Sequence, residues 1–449
     1  MFKKRFLQII SIVSVLVLVV SCSTSSISST TAPKVGKGFF ANSEINRLVD
    51  ENYKLVVENG WAELRIPQSV HGITKDAFSP NALDAAEKLI AAGYEAYLVG
   101  GSIRDLIMGT PSMDFDITTT ASNEVIKELF DEVTFHSIPL GHSFAFVHYP
   151  DEIVDVATCV NIPAGLHGLK GVPDFDPEPL YSNNFVYDSF QRDLTMNAIY
   201  YDVKTGDLVD YHGGIHDIRE GVIKTMVEPE IAMDVNSIIA VRSMRFKARY
   251  NMEYSPEMDE VMHRKASVYS VMAGASSNAA NMPKFFNAGY ALRCYYVLRD
   301  YDAFGAIYSP VADMLNTEAY QNYITSAFKW MDDWYASGNK LSSTLSMAVI
   351  LWPAVINNDA EEVLEQQNKT IEISDEAMDD YLDLFEIERK MTQRLPYEEA
   401  VKLALQNEFE DAYQLLIIRT LTERGLEAAA RFWTSIREIV ANGGYNRAA

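Results

Sequence analysis

The sequence has 449 residues, of which 48% are hydrophobic, and its formal net charge is −24 at pH 7. This length suffices for two or three domains, and the hydrophobic content excludes a low-complexity or disordered chain. Proteins that hold a polyanion over a broad surface carry a basic face, so any surface for nucleic acid has to be local here.

The first residues have the pattern of an export signal. Basic residues 3–5 precede an apolar run over 7–20 that is too short for a convincing membrane span. The run ends in Val-Val-Ser-Cys at Cys22, which resembles a bacterial lipobox. We therefore expect a signal peptide over 1–21, lipid attachment at Cys22, and export to a lipid-anchored position on a bacterial membrane. An ordinary secretory signal or a signal anchor is the alternative.

The remaining elements alternate between helices and strands and then become helical. The chain is predicted to continue with a flexible tether, a short helix at 39–53 and a helix that begins at Ser79-Pro80. Strands at 95–99 and around Asp114 and Asp116 come next, followed by a helix at 123–130. A hairpin of 144–148 with 153–158 and a loop at 165–184 complete this part. From Asp193 onward, helical patterns dominate.

This order predicts an α+β fold, with a mixed α/β head followed by an all-helical body. The expected divisions are a tether and short N-terminal segment at 22–65, the head at 66–210, a helical neck at 211–270, and the helical body at 271–449. Beyond Cys22, the two cysteines Cys159 and Cys294 are expected to be buried thiols.

The stretch Leu98–Thr120, LVGGSIRDLIMGTPSMDFDITTT, has the outline of a phosphate and metal site. A glycine turn that opens a helix, as at Gly100-Gly101, exposes backbone N–H groups that suit a phosphate. Asp114 and Asp116 are two residues apart in a strand-like run, so both carboxylates point to one side. Paired hard oxygen ligands beside a phosphate cradle are typical of a Mg²⁺-nucleotide site.

Asp155 adds a third carboxylate, because its strand is expected beside the strand of Asp114 and Asp116. Three clustered carboxylates repel one another unless a cation lies among them. Two Mg²⁺ or Mn²⁺ ions would neutralise them, activate an attacking hydroxyl and hold a triphosphate. The alternative is that Asp155 is a solubilising charge at a strand edge.

A second polar cluster lies in the segment QRDLTMNA at 191–198. Arg192 can neutralise a phosphate charge, and Asn197 can form a hydrogen bond with a ribose. Asp193 can hold either partner in place. The alternative is an ordinary helix N-terminus with Asp193 near the positive end of its dipole.

Together these residues resemble the class II poly(A) polymerase and CCA-adding tRNA nucleotidyltransferase family. Residues 98–120 combine GGS, RD, the turn at Gly109 and DxD at the family's spacing. RDLTMNA at 192–198 and GDLVD at 206–210 resemble two further motifs. The likeness covers about 66–433 and is strongest to bacterial poly(A) polymerase.

The resemblance implies attack of an RNA 3′-hydroxyl on the α-phosphate of a nucleoside triphosphate, by preference ATP, with release of pyrophosphate. It implies metal binding by Asp114, Asp116 and Asp155, and nucleotide binding by Gly100, Gly101, Ser102, Arg104, Asp105, Arg192, Asp193, Asn197, Asn236, Arg242 and Arg245.

One segment departs from the family pattern. In the family, the Asp and Arg of an EDPxR segment read the Watson–Crick edge of the incoming base, and an LRAxRF run follows. Here VRSMRF at 241–246 keeps the run, but Asn236 and Ile239 replace the acid and the arginine, and Val160 stands where an arginine is usual. The loss of a bidentate base contact removes about 1–3 kcal/mol of discrimination.

These observations leave three hypotheses. The first is an active, metal-dependent nucleotidyltransferase with relaxed or altered base choice, since the metal and phosphate half of the site is present. The second is a membrane-anchored nucleotide-binding pseudoenzyme, which the altered base segment, the acidity and the export signal favour. The third keeps the transfer chemistry but uses a protein or a small molecule as acceptor.

Overall fold

The computed structural model describes residues 38–110, 112, 114–137 and 143–443, and these belong to one contact unit. The predicted signal peptide and the lipidation site Cys22 lie outside the described residues. Among the helices of the described ranges, none combines the length and the apolar character needed to cross a bilayer.

A mixed sheet forms the centre of the head. Its strands are β1 (Leu64–Ile66), β2 (Ala96–Val99), β3 (Asp116–Thr119), β4 (Val133–Ser137), β5 (Ser143–His148), β6 (Ile153–Thr158), β7 (Ile199–Asp202) and β8 (Leu208–Asp210). Their order in the sheet is β1-β8-β7-β2-β3-β6-β5-β4. The β3–β6 pair is parallel and the other neighbours are antiparallel. The predicted hairpin is confirmed as β5 and β6.

Helices of the head cover the sheet and support its connections. They are α1 (Ser43–Asn59), α2 (Gln68–His71), α3 (Pro80–Ala91), α4 (Gly101–Ile107), α5 (Asn123–Leu129), α6 (Phe185–Ser189) and α7 (Gly214–Glu220). The predicted N-cap is confirmed, since the Ser79 hydroxyl accepts hydrogen bonds from the backbone N–H groups of Asn81 and Ala82. The first helix is longer than predicted, because it continues to Asn59 and ends at Gly60, whose φ is +88°.

The central strands are buried on both faces, which is why β2, β7 and β8 read as continuous apolar runs. One face packs on the main core through Leu98 and Tyr201. On the other face, Tyr97 and Tyr200 belong to a smaller cluster with Phe185. The part of the sheet next to the carboxylate-bearing strand β3 is therefore packed against side chains on both of its faces.

A short parallel pair and two helices form the neck: β9 (Val222–Ile223), α8 (Pro229–Val235), α9 (Ile238–Tyr250) and β10 (Glu253–Tyr254). The body consists of α10 (Pro256–Met272), α11 (Ala275–Asn281), α12 (Pro283–Phe286), α13 (Ala291–Asp300), α14 (Ala303–Ile307), α15 (Glu318–Ala336), α16 (Ser343–Val355), α17 (Ala360–Asn368), α18 (Asp375–Met391), α19 (Tyr397–Leu403), α20 (Phe409–Arg419) and α21 (Glu427–Ala441). The α+β class is confirmed. Cys159 and Cys294 are buried free thiols, as predicted.

Candidate active site

Two aspartates are neighbours on the parallel strands β3 and β6, one at the start of β3 and the other within β6. Ile117 pairs with Val156, so the preceding residues Asp116 and Asp155 are neighbours on the same side of the sheet. Ile117 and Val156 are fully buried on the other side. The prediction that Asp155 lies on the strand beside Asp116 is confirmed.

Asp114 differs from its predicted position, because β3 begins only at Asp116. Asp114 is exposed, whereas Phe115 is buried beside the ring of Phe78. The expected alternation of sides is present without a regular strand at Asp114. The Asp114 carboxylate is close enough to raise the pKa values of both Asp116 and Asp155.

Burial and neighbouring carboxylates disfavour the ionised forms of Asp116 and Asp155. Burial, followed by the charge of Asp114, raises the pKa of Asp116 to about 6, and the charge of Asp155 adds to this. Burial and then Asp114 raise the pKa of Asp155 to about 6. Such a site holds negative charge at neutral pH at a cost in free energy, and a divalent cation would relieve that cost.

The donor set fits Mg²⁺ or Mn²⁺, because carboxylate oxygens are the hard ligands that these ions prefer. Within the described part of the chain, no three His, Cys, Asp or Glu side chains converge closely enough to form a complete metal site. Mg²⁺ commonly binds through one or two carboxylates together with phosphates of the substrate. The paired carboxylates of Asp116 and Asp155 suit that mode.

The glycine turn brings backbone directly against this carboxylate pair. Gly100 ends β2 with φ +88°, a conformation that favours glycine, and a Cβ there would lie 3.5 Å from Asp116 Oδ2. Gly101 opens α4, and a Cβ there would lie 3.2 Å from Arg104 Nη2. The Ser102 hydroxyl is buried and donates to the Val99 carbonyl at 3.4 Å. The turn therefore passes close to both the Asp116 carboxylate and the Arg104 guanidinium.

Arg104 and Asp105, predicted to bind nucleotide, are buried with 3% and 6% of their surface exposed. The Arg104 guanidinium donates to Asp105 Oδ1 at 2.8 Å and to the side-chain oxygen of Asn197. It also lies 4.9 Å from the ring centres of both Phe246 and Tyr250 on α9. In this conformation, Arg104 joins the glycine turn to the neck.

The segment around Arg192 forms a second layer of the site. Arg192 forms an ion pair with Asp188 at 3.0 Å, and its charge opposes the raised pKa of Asp116. Asn197 donates to Asp193 Oδ1 at 2.8 Å. Arg192 is thus held by Asp188, whereas Asp193 holds Asn197. The Thr195–Asn197 portion of this segment is a single 3₁₀ turn and not the start of an α-helix.

Helix α9 supplies the opposite wall. The Asp193 carboxylate lies 2.9 Å from Arg242 Nε, and the Arg245 guanidinium stacks 4.3 Å from the ring centre of Phe246. These residues are spaced by three or four along α9, so they share one helix face. The charge of Arg242 lowers the pKa of Asp116, in opposition to burial; nucleotide binding by Arg242 and Arg245 stays a prediction.

Lys284 is a site residue that the sequence did not indicate. It lies on α12, and burial together with Arg245 and Arg242 lowers its pKa, while Asp114 and Asp116 act in the opposite direction. Lys284 therefore faces both the carboxylates and the basic face of α9. Its contacts come from distant parts of the chain, so no local spacing could have revealed it. Asp188, also missed, is four residues before Arg192, and that spacing was a usable signal.

A cavity of about 390 Å³ adjoins the cluster of Arg192 and Asp193. Its volume lies within the range of about 300–1,000 Å³ that is usual for small-molecule pockets. Val235, Asn236 and Ile239 line it on the neck side, and the segment 161–180 covers it from the head. The structure therefore brings the segment that departs from the family pattern together with Arg192 and Asp193 in one pocket.

Family models match two parts of this chain. Residues 96–224 match the poly A polymerase head domain, and residues 352–444 match the polymerase A arginine-rich C-terminus. The first match includes β2, the glycine turn, the aspartates and the Arg192 segment.

Whole-chain comparisons agree. Poly(A) polymerase I of Salmonella typhi is 26% identical over 402 residues, which cover 83% of this chain and 85% of that protein. The matched parts of the chain are similar to members of the poly(A) polymerase and CCA-adding enzyme family of nucleotidyltransferases. A CCA-adding enzyme of Staphylococcus saprophyticus is 34% identical over 171 residues, covering 36% of this chain and 39% of that protein.

The fold is shared with a solved relative. The structure of Bacillus stearothermophilus CCA-adding enzyme in complex with CTP superposes with a TM-score of 0.60 at 18% identity, covering 80% of this chain and 82% of that one. The predicted nucleotidyltransferase-like head followed by a helical body is therefore confirmed.

Proposed function

We propose that this nucleotidyltransferase uses Mg²⁺ or Mn²⁺ to transfer the nucleotide of ATP to the 3′-hydroxyl of an RNA, with release of pyrophosphate. The observation that carries the proposal is the opposition of Asp116 and Asp155 across β3 and β6, with Asp114 beside them. Arg192 and Lys284 add positive charge around these carboxylates. An arrangement of this kind suits a triphosphate that arrives with its metal ions.

The transfer step conserves atoms and charge. The 3′-oxygen forms a bond to the α-phosphorus, the bond from that phosphorus to the bridging oxygen breaks, and pyrophosphate leaves with that oxygen's electron pair. The hydroxyl proton passes to a basic oxygen at the site. Asp114, Asp116 and Asp155 would hold the divalent ions, whose charge would make the hydroxyl a better nucleophile. Arg192, beside Asp116, is placed to neutralise phosphate charge.

Base choice is expected to be weak. Ile239 lines the cavity with apolar surface, and among the described residues the side-chain amide of Asn236 has no hydrogen-bond partner. An amide donates and accepts, so it pairs with adenine in one orientation and tolerates other bases after a flip. ATP is therefore the preferred donor, with discrimination reduced by about 1–3 kcal/mol relative to a bidentate reader.

The test is primer extension with Mg²⁺ or Mn²⁺, a short RNA and each labelled nucleoside triphosphate in turn. We expect metal-dependent addition from ATP, slower addition from the other three, and none by the Asp114→Ala/Asp116→Ala variant. Asp333→Ala is the matched control, since Asp333 is exposed and, within the part of the chain that the structure describes, forms an ion pair with Lys329 on α15 alone. Nucleotide binding without turnover would contradict the proposal and favour the hypothesis of a nucleotide-binding pseudoenzyme. Transfer to protein would replace RNA as acceptor.

We also propose that the protein is exported and anchored to a bacterial membrane by lipid on Cys22. The support is the sequence of residues 1–22 alone. Labelling cells with palmitate should mark the protein, and Cys22→Ala should abolish the label. A protein that stays unlabelled and unprocessed would contradict this assignment without affecting the proposed reaction.

A further inference from the structure

A second cavity, of about 160 Å³, lies in the helical body away from the aspartates. Its walls come from α12, α16, α18 and the segment that connects α17 with α18. Most of the lining is apolar, with Met282, Phe286, Met347 and Ile373 among the wall residues. A cavity of about 150 Å³ with apolar walls is large enough to bind benzene. This space therefore admits one small ring.

Two buried tyrosines give the cavity a polar element. Tyr308 and Tyr381 line it, and only 2% and 5% of their surfaces are exposed. Neither hydroxyl has a hydrogen-bond partner among the described residues, whereas Tyr323, buried on α15, donates to the Val349 carbonyl at 3.0 Å. Burial and the neighbouring Tyr381 hold the pKa of Tyr308 well above its usual range. Both hydroxyls are therefore available as donors at neutral pH.

A hydroxyl on the wall of such a cavity loses its hydrogen bond to water when an apolar ligand displaces that water, which costs free energy. A ligand that accepts a hydrogen bond would recover part of that cost. The mouth carries the exposed side chains of Ser343 and Glu372, and Asp375 and Glu376 follow at the start of α18. These charges disfavour an anion, so the acceptor belongs to a neutral group.

We propose that this cavity binds a small neutral aromatic molecule that carries a carbonyl oxygen. The ring would lie between Phe286 and Met347, with its carbonyl accepting a hydrogen bond from Tyr308 or Tyr381. The site is separate from the nucleotide pocket and does not depend on the proposed reaction. It shares α12 with Lys284, so it adjoins the helix that faces the catalytic aspartates.

The experiment compares three probes of similar shape: acetophenone, ethylbenzene and benzoate. Ligand-detected NMR on the full chain should show binding of acetophenone, with an affinity two- to tenfold above that of ethylbenzene, since a net hydrogen bond is worth about 0.5–1.5 kcal/mol. Benzoate should bind more weakly than acetophenone. Tyr308→Phe/Tyr381→Phe should remove the advantage of acetophenone while ethylbenzene still binds.

Two variants make the result specific to the cavity. Ala377→Leu, which fills the space from α18, should abolish binding of acetophenone and ethylbenzene. Tyr320→Phe removes a buried, unpartnered hydroxyl that does not line the cavity, so it should leave both affinities unchanged. The proposal is overturned if the wild type binds no probe, if Ala377→Leu still binds, or if the acetophenone advantage survives in the double Phe variant.

Discussion

Asp116, the first residue of β3, lies beside Asp155 on the parallel strand β6, and the charge of Asp155 adds to the raised pKa of Asp116. Carboxylates arranged in this way lower the free energy of unfolding at neutral pH, but they favour the binding of cations. Replacing either residue by Asn should raise the unfolding free energy by about 1–3 kcal/mol at pH 7, in line with pKa values raised by about two units. It should also lower transfer by on the order of 10³-fold or more, because metal-held charge is worth several kcal/mol.

Thermal melts and primer extension measure these two effects on the same preparations. Asp333→Asn, at an exposed ion pair, is the control and should change neither quantity appreciably. Loss of activity accompanied by a lower melting temperature would contradict this account, because it would make the carboxylates structural.

Lys284→Gln tests the residue that only the fold reveals. The side chain faces the aspartates together with Arg242 and Arg245, so its loss should weaken binding of the triphosphate. We expect the KM for ATP to rise about tenfold at unchanged stability, the effect of one charge-assisted contact. Lys340→Gln, an exposed lysine after α15, is the control. An unchanged KM would remove Lys284 from the nucleotide site.

The Arg104→Lys variant tests whether Arg104 stabilises the packing of the glycine turn against the neck or contacts phosphate directly, as the resemblance implied. Lysine keeps the charge but cannot reach Asp105 and Asn197 together or stack on two rings. We expect destabilisation by about 2–4 kcal/mol in urea unfolding, since the partners are buried. Arg47→Lys, at an exposed pair on α1, should change stability by less than about 0.5 kcal/mol. A stable variant with a raised KM would restore the phosphate role.

Substitution of Gly171 tests what positions the segment 161–180, which covers the cavity beside Arg192 and Asp193. Gly60 and Gly171 touch backbone to backbone, and a Cβ at Gly171 would lie 3.1 Å from Gly60 Cα. Gly168 has a similar positive φ and nothing within 4 Å of its Cβ position, so Gly168→Ala reports the strain alone. We expect Gly171→Ala to raise the KM for ATP severalfold above that of Gly168→Ala. Equal KM values for the two variants would show that the contact between Gly60 and Gly171 does not position the segment 161–180.

His212 should make stability depend on pH below neutrality. Its ring is buried beside Ser189, and burial lowers its pKa to about 3. The unfolded chain binds a proton near pH 6.5 while the folded protein does not, so stability falls as the pH drops from about 6.5 toward 3. The loss from this group between pH 6.5 and 5 is about 2 kcal/mol.

The His212→Gln variant keeps a hydrogen-bonding side chain that does not titrate. Its melting temperature should therefore fall less steeply than that of the wild type as the pH drops below neutrality. The opposite contribution of Asp210, whose burial raises its pKa to about 6, is common to both proteins. The difference between the two curves therefore isolates His212. Parallel curves would contradict the assignment.

The sequence predicted what local rules determine. Ser79-Pro80, the glycine turn and the alternation in β5 and β6 each act over a few residues, and all three were located from the sequence. The adjacency of Asp155 to Asp116 followed because strand order in a small mixed sheet allows few arrangements.

The remainder depends on contacts between distant segments. Lys284 reaches the site only because α12 packs near α9, and Arg104 is buried only because Phe246 and Tyr250 cover it. The start of β3 at Asp116 and not at Asp114 depends on its pairing with Val99, which no period in the sequence encodes. The predicted divisions at 210 and 270 stay predictions.

The contact of Arg104 with Phe246 and Tyr250 bears on how this protein can be divided experimentally. A fragment that ends before α9 would keep every aspartate of the site but would open the buried Arg104–Asp105 pair to water on one side. The head therefore does not carry its own complete interior, although its sheet is complete. Any minimal catalytic fragment has to include α9 through Tyr250, so expression trials should be cut beyond the neck.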